Sequence, residues 1–139
     1  MINKKIVRAA FTAMCLMMAF GVEGFAQKQY KGIKSVDTTV EKFSKTGSSS
    51  IKYTETTEKF DAEGRVVEES TFDEKGNLLK RKTFTYDANG NKVGAIIYKP
   101  NGEVDDRVEY KYENGLRTEK ITYSAKGKVK SRKTYNYTR

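Results

Sequence analysis

Six glycines, at positions 64, 76, 90, 102, 115 and 127, recur every 12 to 14 residues. No other feature constrains the chain so strongly. Around five of them one rule holds: an aromatic residue, three residues, Gly, one residue, then an aliphatic side chain. Phe60-Asp-Ala-Glu-Gly64-Arg-Val66, Phe72-Asp-Glu-Lys-Gly76-Asn-Leu78 and Tyr98-Lys-Pro-Asn-Gly102-Glu-Val104 obey it. So does Tyr123-Ser-Ala-Lys-Gly127-Lys-Val129, while Tyr86-Asp-Ala-Asn-Gly90-Asn-Lys92 departs only at Lys92. Four residues such as Asp-Ala-Glu-Gly suit a type I turn that ends in a left-handed residue. Asp at the first position accepts hydrogen bonds from the turn's own amides, and Gly at the last takes positive φ without a Cβ clash. Pro100 sits where its fixed φ is an asset.

In this geometry the residue before the turn lies opposite the residue two after the Gly. Phe60 then faces Val66, Phe72 faces Leu78, Tyr98 faces Val104 and Tyr123 faces Val129, each an aromatic–aliphatic cross-strand pair. Asn114-Gly115 is the signature of a two-residue type I′ hairpin, placing Tyr112 opposite Arg117 and Tyr110 opposite Glu119.

The fold expected is all-β: an antiparallel meander of about seven strands forming an open curved sheet, with a closed or half-closed barrel as the alternative. The strands fall at about 51–60, 65–73, 77–86, 91–99, 103–112, 116–123 and 128–137. Strict alternation through all six turns gathers Phe60, Val66, Phe72, Leu78, Phe84, Tyr86, Ile96, Tyr98, Val104, Val108, Tyr110, Tyr112, Ile121, Tyr123, Val129, Tyr135 and Tyr137 on one face. It also sets Glu68 opposite Lys82 and Glu119 opposite Lys133. The strand at 91–99 is apolar on both sides, which suits a central, covered strand. Segment 31–45 is the candidate cover through Val36, Val40 and Phe43; its apolar spacing is helical, yet Thr38, Thr39 and Val40 favour a strand. Residues 44–50, Ser-Lys-Thr-Gly-Ser-Ser-Ser, read as a flexible connector.

The first 26 residues have another character. Lys4, Lys5 and Arg8 precede an uncharged apolar stretch from Ala9 to Val22, and Gly24 and Ala26 suit cleavage between Ala26 and Gln27. This is the pattern of a signal peptide. The domain organisation expected is a signal peptide at 1–26, an N-terminal segment and connector at 27–50, and a β-hairpin domain at 51–139. Cys15, the chain's one cysteine, lies inside the signal, so the exported part has no disulfide or thiolate chemistry. Of 27 basic and 18 acidic residues, removal of the signal takes Lys4, Lys5, Arg8 and Glu23, leaving 24 and 17, net +7. The expected location is the periplasm, the outer surface or the extracellular medium, with no stable membrane span after cleavage. A basic exported protein meets anionic glycans, lipopolysaccharide or an acidic envelope partner rather than nucleic acid.

The turn sequences Phe60-Asp-Ala-Glu-Gly64, Phe72-Asp-Glu-Lys-Gly76 and Tyr86-Asp-Ala-Asn-Gly90 resemble the YD repeats of RHS-type bacterial surface and toxin-shell proteins. They are also similar to the hairpin repeats of small MORN-like bacterial proteins. The resemblance covers about 60–137. The short exported chain, with Gln27 directly after the cleaved Ala26, further resembles small secreted families of Bacteroidota. These resemblances imply an all-β exported protein. Asp37-Thr38-Thr39 resembles the short sites O-glycosylated in Bacteroidota exported proteins, which makes Thr38 a candidate. Asn136-Tyr-Thr138 matches a sequon for N-glycosylation, relevant in a eukaryotic host.

Chemistry is narrowly bounded. With no His, imidazole acid/base work and His metal ligands are excluded. Asp61, Asp73 and Asp87 start turns, and Asp105 and Asp106 are adjacent, so strand alternation points them to opposite faces. Asp87-Ala-Asn89-Gly90-Asn91 resembles the opening of a calcium loop, but Gly is fourth rather than sixth and the twelfth residue is Tyr98. No cofactor, no metal and no catalytic residue is expected. Candidate binding residues are Tyr86, Tyr98, Tyr110, Tyr112, Tyr123 and Tyr135, whose rings stack on sugars or bind a protein partner. Lys128, Lys130 and Arg132 form an anion-binding strip or guard a sheet edge. The function expected is a non-catalytic exported binding or structural module recognising a glycan or protein through a Tyr-rich face. The alternative is an envelope protein that holds anionic polysaccharide or lipopolysaccharide on a basic edge strand.

Overall fold

The computed structural model describes residues 30–138. The segment expected to be a signal peptide, with the expected cleavage point between Ala26 and Gln27, lies outside the described residues. Eight strands form one antiparallel sheet in sequence order: β1 (Ser35–Phe43), β2 (Ser50–Phe60), β3 (Val66–Phe72), β4 (Leu78–Tyr86), β5 (Lys92–Tyr98), β6 (Val104–Glu113), β7 (Leu116–Ser124) and β8 (Val129–Thr134). The sheet is an open meander, with β1 and β8 as its edges. It has one strand more than the glycine spacing implies. Segment 31–45 does not cover the sheet but joins it as β1 beside β2. The strand propensity of Thr38, Thr39 and Val40 prevails because β2 offers a ready ladder. The linking residues 44–49 are tied as a hairpin, with the Ser44 amide donating to the Ser49 carbonyl at 2.9 Å. The doubly apolar strand at 91–99 is β5, in the middle of the sheet.

The turns follow from the residues that make them. The Gly64, Gly76, Gly90, Gly102 and Gly127 amides each close on the carbonyl three residues earlier at 2.9–3.1 Å, and these glycines have φ of 80–86°. The Asn-Gly turn has φ of 52° at Asn114 and 77° at Gly115, the left-handed pair that a type I′ turn requires. The aspartates pin their turns twice over. Asp73 Oδ1 accepts from the Lys75 and Asn77 amides, both at 2.8 Å, and Oδ2 accepts from Asn77 Nδ2 at 2.9 Å. Asp87 does the same with Asn89 and Asn91. In Asp61-Ala-Glu-Gly64-Arg65 the Arg65 Nε takes the place of the amide. The residue after the Gly is therefore part of the turn.

The four aromatic–aliphatic pairs lie opposite one another as the turn chemistry requires, and Tyr112 lies opposite Arg117. Immediately beyond each pair, however, the second strand carries one extra residue. Phe60 is opposite Val66, but Lys59 is opposite Glu68; Phe72 is opposite Leu78, but Thr71 is opposite Lys80. The same slip follows the turns into β5, β6, β7 and β8. A β-bulge of this kind leaves two residues against one and increases the local twist.

The bulges overturn the single aromatic face. Pairing partners share a face and strand neighbours alternate. Phe84 pairs with Ala95, Ala95 with Val108, and Tyr110 with Lys120. Phe60, Tyr86, Tyr110 and Tyr112 thus share the Phe84 face. Arg81 pairs with Tyr98, Ile96 with Arg107, and Arg107 with Tyr123. Phe72, Tyr98, Ile121 and Tyr123 therefore occupy the opposite, Tyr98 face. Apolar pairs from turns at one end of the strands lie on one face, and those from the other end lie on the other. The cross-strand charges move too: Lys82 is opposite Glu69 rather than Glu68, Tyr110 is opposite Lys120 rather than Glu119, and Glu119 is opposite Thr134 rather than Lys133. Asp105 and Asp106 occupy a bulge, so simple alternation does not apply to them.

Burial is correspondingly thin. Among the described residues the buried side chains are Phe60, Ala95, Val108, Ile121 and Glu58. Gly94 marks a close approach within the sheet: a Cβ there would stand 2.6 Å from Thr85 Oγ1, its neighbour across β4 and β5.

The Asn77 and Asn91 side-chain amides, helped by the turn amides, hold the Asp73 and Asp87 carboxyls below the usual carboxylate range. A depressed folded-state pKa adds stability above the unfolded value of about 3.9, and the contribution vanishes as pH falls through the folded one. Asp87→Ala should therefore lower the melting temperature at neutral pH, and the gap to the parent should close below about pH 4. Thermal melts across that range by circular dichroism check this.

Candidate functional site

Two depressions among the described residues of the sheet, of about 340 and 510 Å³, are open to solvent and lie mostly on the Tyr98 side. Among the described residues no group of three or more His, Cys, Asp or Glu is placed to hold a metal ion. No helix among them is long and apolar enough to cross a membrane.

One rim of the Phe84 face is highly ordered. Phe60, Tyr86, Tyr112 and Tyr137 stand 26, 26 and 25 residues apart. The Tyr86 hydroxyl donates to the Val66 carbonyl at 2.7 Å, that of Tyr112 to Lys92 at 3.0 Å and that of Tyr137 to Arg117 at 2.9 Å. Each hydroxyl bonds a carbonyl 20 residues back, at the start of the preceding odd-numbered strand. Phe60, which lacks a hydroxyl, stacks instead on Tyr30 with centroids 4.7 Å apart. Cations fill the intervals. The Arg65 guanidinium lies 5.0 Å from the Tyr86 centroid, Lys92 Nζ lies 4.3 Å from Phe84, and Arg117 lies 4.8 Å from Tyr110. Each such contact contributes about 0.5–1 kcal/mol at a part-exposed site. Arg65 is neutralised by Asp61 and Glu63.

The other candidate tyrosines are divided. Tyr98 and Tyr123 are half-buried on the opposite face, where Arg81 packs 4.3 Å from the Tyr98 ring and the Tyr123 hydroxyl donates to Glu109 at 2.9 Å. Tyr135 lies just past β8, its amide bonded to the Thr118 carbonyl at 3.0 Å. The three basic candidates are not a strip. Lys130 Nζ is held by both oxygens of Asp106 at 2.7 and 2.8 Å. Arg132 lies opposite Ile121 on the Tyr98 face, and Lys128 belongs to the turn, its amide bonded to Ser124 Oγ. Thr38 is half-buried in β1, opposite Thr56. Asn136 is exposed and lies beyond β8, which ends at Thr134, not in a strand.

Two arrangements went unseen in the sequence. The first is Glu58, whose residue is only 9% exposed and which lies directly opposite Glu69. Burial, then the Glu69 charge, push its carboxyl above the usual range, while Lys92 opposes them. Glu69 itself is bound by Lys82. The second is the pair Lys120 and Lys133, directly opposite one another beside Tyr110. Without the bulge in β8, Lys133 would have met Glu119. No protein-family model matches the sequence, and no curated protein matches it.

A raised folded-state pKa means that the favourable form of Glu58 is the protonated one. Its contribution is present below the unfolded pKa and lost as pH rises through the folded value. Glu58→Gln should accordingly raise the melting temperature at pH 7 and leave it nearly unchanged in acid, where the parent carboxyl is already neutral. A parent melting temperature that exceeds the variant's at pH 7 would contradict the assignment.

Proposed function

We propose that the protein is an exported, non-catalytic binding or structural module that meets a glycan or protein partner through the tyrosine-bearing surfaces of its sheet. The observation that carries this reading is the half-exposed tyrosine array on a one-layer sheet, where rings are held in fixed positions by hydroxyl bonds and cation contacts. Rigid aromatic side chains with a polar tip lose little entropy on binding and supply much of the energy at recognition surfaces. Open faces suit an extended ligand better than a small one, which prefers an enclosed pocket. The signal-peptide pattern of residues 1–26 supports export.

A second reading uses β8 as a basic edge for anionic polysaccharide or lipopolysaccharide. The exposure of every residue of β8 favours it. The engagement of Lys130 by Asp106 weakens it.

Two measurements test the proposal. Intact mass of the protein recovered from its host should correspond to a chain beginning at Gln27. The secreted protein, screened against a glycan array and an envelope extract, should retain a partner whose affinity falls at least about fivefold on Tyr98→Ala or Tyr112→Ala, a modest hot-spot loss. A blank in both screens alongside turnover in a hydrolase assay would overturn the reading.

A further inference from the structure

The two faces of β6, β7 and β8 carry different charged contacts. On the Tyr98 face two acidic side chains are engaged. Lys111 Nζ lies 2.9 Å from Glu119 Oε2, and Tyr123 donates to Glu109. On the Phe84 face like charges are gathered. Lys120 and Lys133 are direct cross-strand partners, and neither makes an ion pair among the described residues. Lys120 Nζ and the Arg117 guanidinium both lie over the Tyr110 ring, at 5.9 and 4.8 Å. Asp106 lies on the same face, but Lys130 already holds both its oxygens. Like charges placed directly opposite in a ladder destabilise a sheet. Here the bulge at β8 creates the repulsion, since the unbulged register would have paired Lys133 with Glu119.

We propose that this patch is a binding site for an acidic polysaccharide, with its carboxylate or sulfate groups held by Lys120, Lys133 and Arg117 and a sugar ring against Tyr110 and Tyr112. An anion between the two lysines turns their repulsion into attraction. Thr122 and Ser131, paired on the same face one step along the strands, add hydroxyls for sugar oxygens. The aromatic–cation–hydroxyl combination selects a charged sugar chain over a bare phosphate, and the patch is open along the strands, as a polymer needs. This site rests on the binding-module reading and names its ligand class. It differs from the edge strip, because Lys128 and Arg132 are not part of it.

The test uses the secreted protein with dextran sulfate, polygalacturonate, neutral dextran, phosphatidylglycerol vesicles and a DNA duplex as probes. Lys133→Glu is the diagnostic variant. It sets an opposite charge across from Lys120, so it should raise the melting temperature while weakening binding to the two acidic polysaccharides at least about tenfold. Lys128→Glu makes the same change of net charge on the neighbouring turn and should alter affinity less than about threefold. Equal losses in both variants would reduce the effect to overall charge and overturn the site. Vesicles or DNA bound as tightly as the polysaccharides, with the same sensitivity to Lys133→Glu, would overturn the ligand class. Binding of neutral glycans alone, lost on Tyr98→Ala and untouched by Lys133→Glu, would overturn this site and leave the broader reading standing. No binding to any glycan, with no envelope partner recovered, would sink both.

Discussion

The added residue that follows each tight turn governs this structure. A hairpin built by the turn chemistry alone would keep every aromatic pair on one side and yield a sheet with one greasy face. That arrangement would require a second layer, because a strand ladder with a continuous apolar side must bury it. The bulges shift parity once per strand, so successive aromatic pairs fall on alternate sides and at alternate ends. Each side then carries a half-width apolar band, shielded by the long stems of neighbouring lysines and arginines. One layer suffices because no side is apolar throughout.

The same shift explains the unusual share of the charged residues in packing. With so few side chains fully buried, rings and cations cover one another instead. Arg65, Lys92 and Arg117 lie against aromatic rings on one side, and Arg81 against Tyr98 on the other. The aliphatic stems contribute contact area and the charged heads remain near water. Arg65 and Arg81 also pair with nearby carboxylates, whereas Lys120 and Lys133 lie opposite one another.

Much of the architecture was legible in the residues. Gly at the end of each turn, Asp at its start and an aromatic before it specify the reversals and their first cross-strand contact. Those pairs lie where the turn geometry puts them. The bulges were not legible, because an extra residue in an exposed ladder leaves no sequence mark when both neighbours are polar or both apolar, as with Val66-Val67 or Leu78-Leu79. β1 was ambiguous because Val36, Val40 and Phe43 fit a helical spacing while only its pairing with β2 decides the matter. The tyrosine candidates do not share one face, since grouping depends on parity. Glu58 and the Lys120–Lys133 pair could not be found at all without register.

The hydroxyl contacts of Tyr86, Tyr112 and Tyr137 reach back by a constant distance along the chain, which gives the domain a natural module of two strands and two turns. Growth or loss by whole modules conserves the side, the end and the hydroxyl's acceptor for every remaining tyrosine. A change of one strand would invert all of them downstream. Evolution of such a domain is thereby quantised: its width can vary in steps of about two strand spacings, roughly 10 Å, without any redesign of its surfaces.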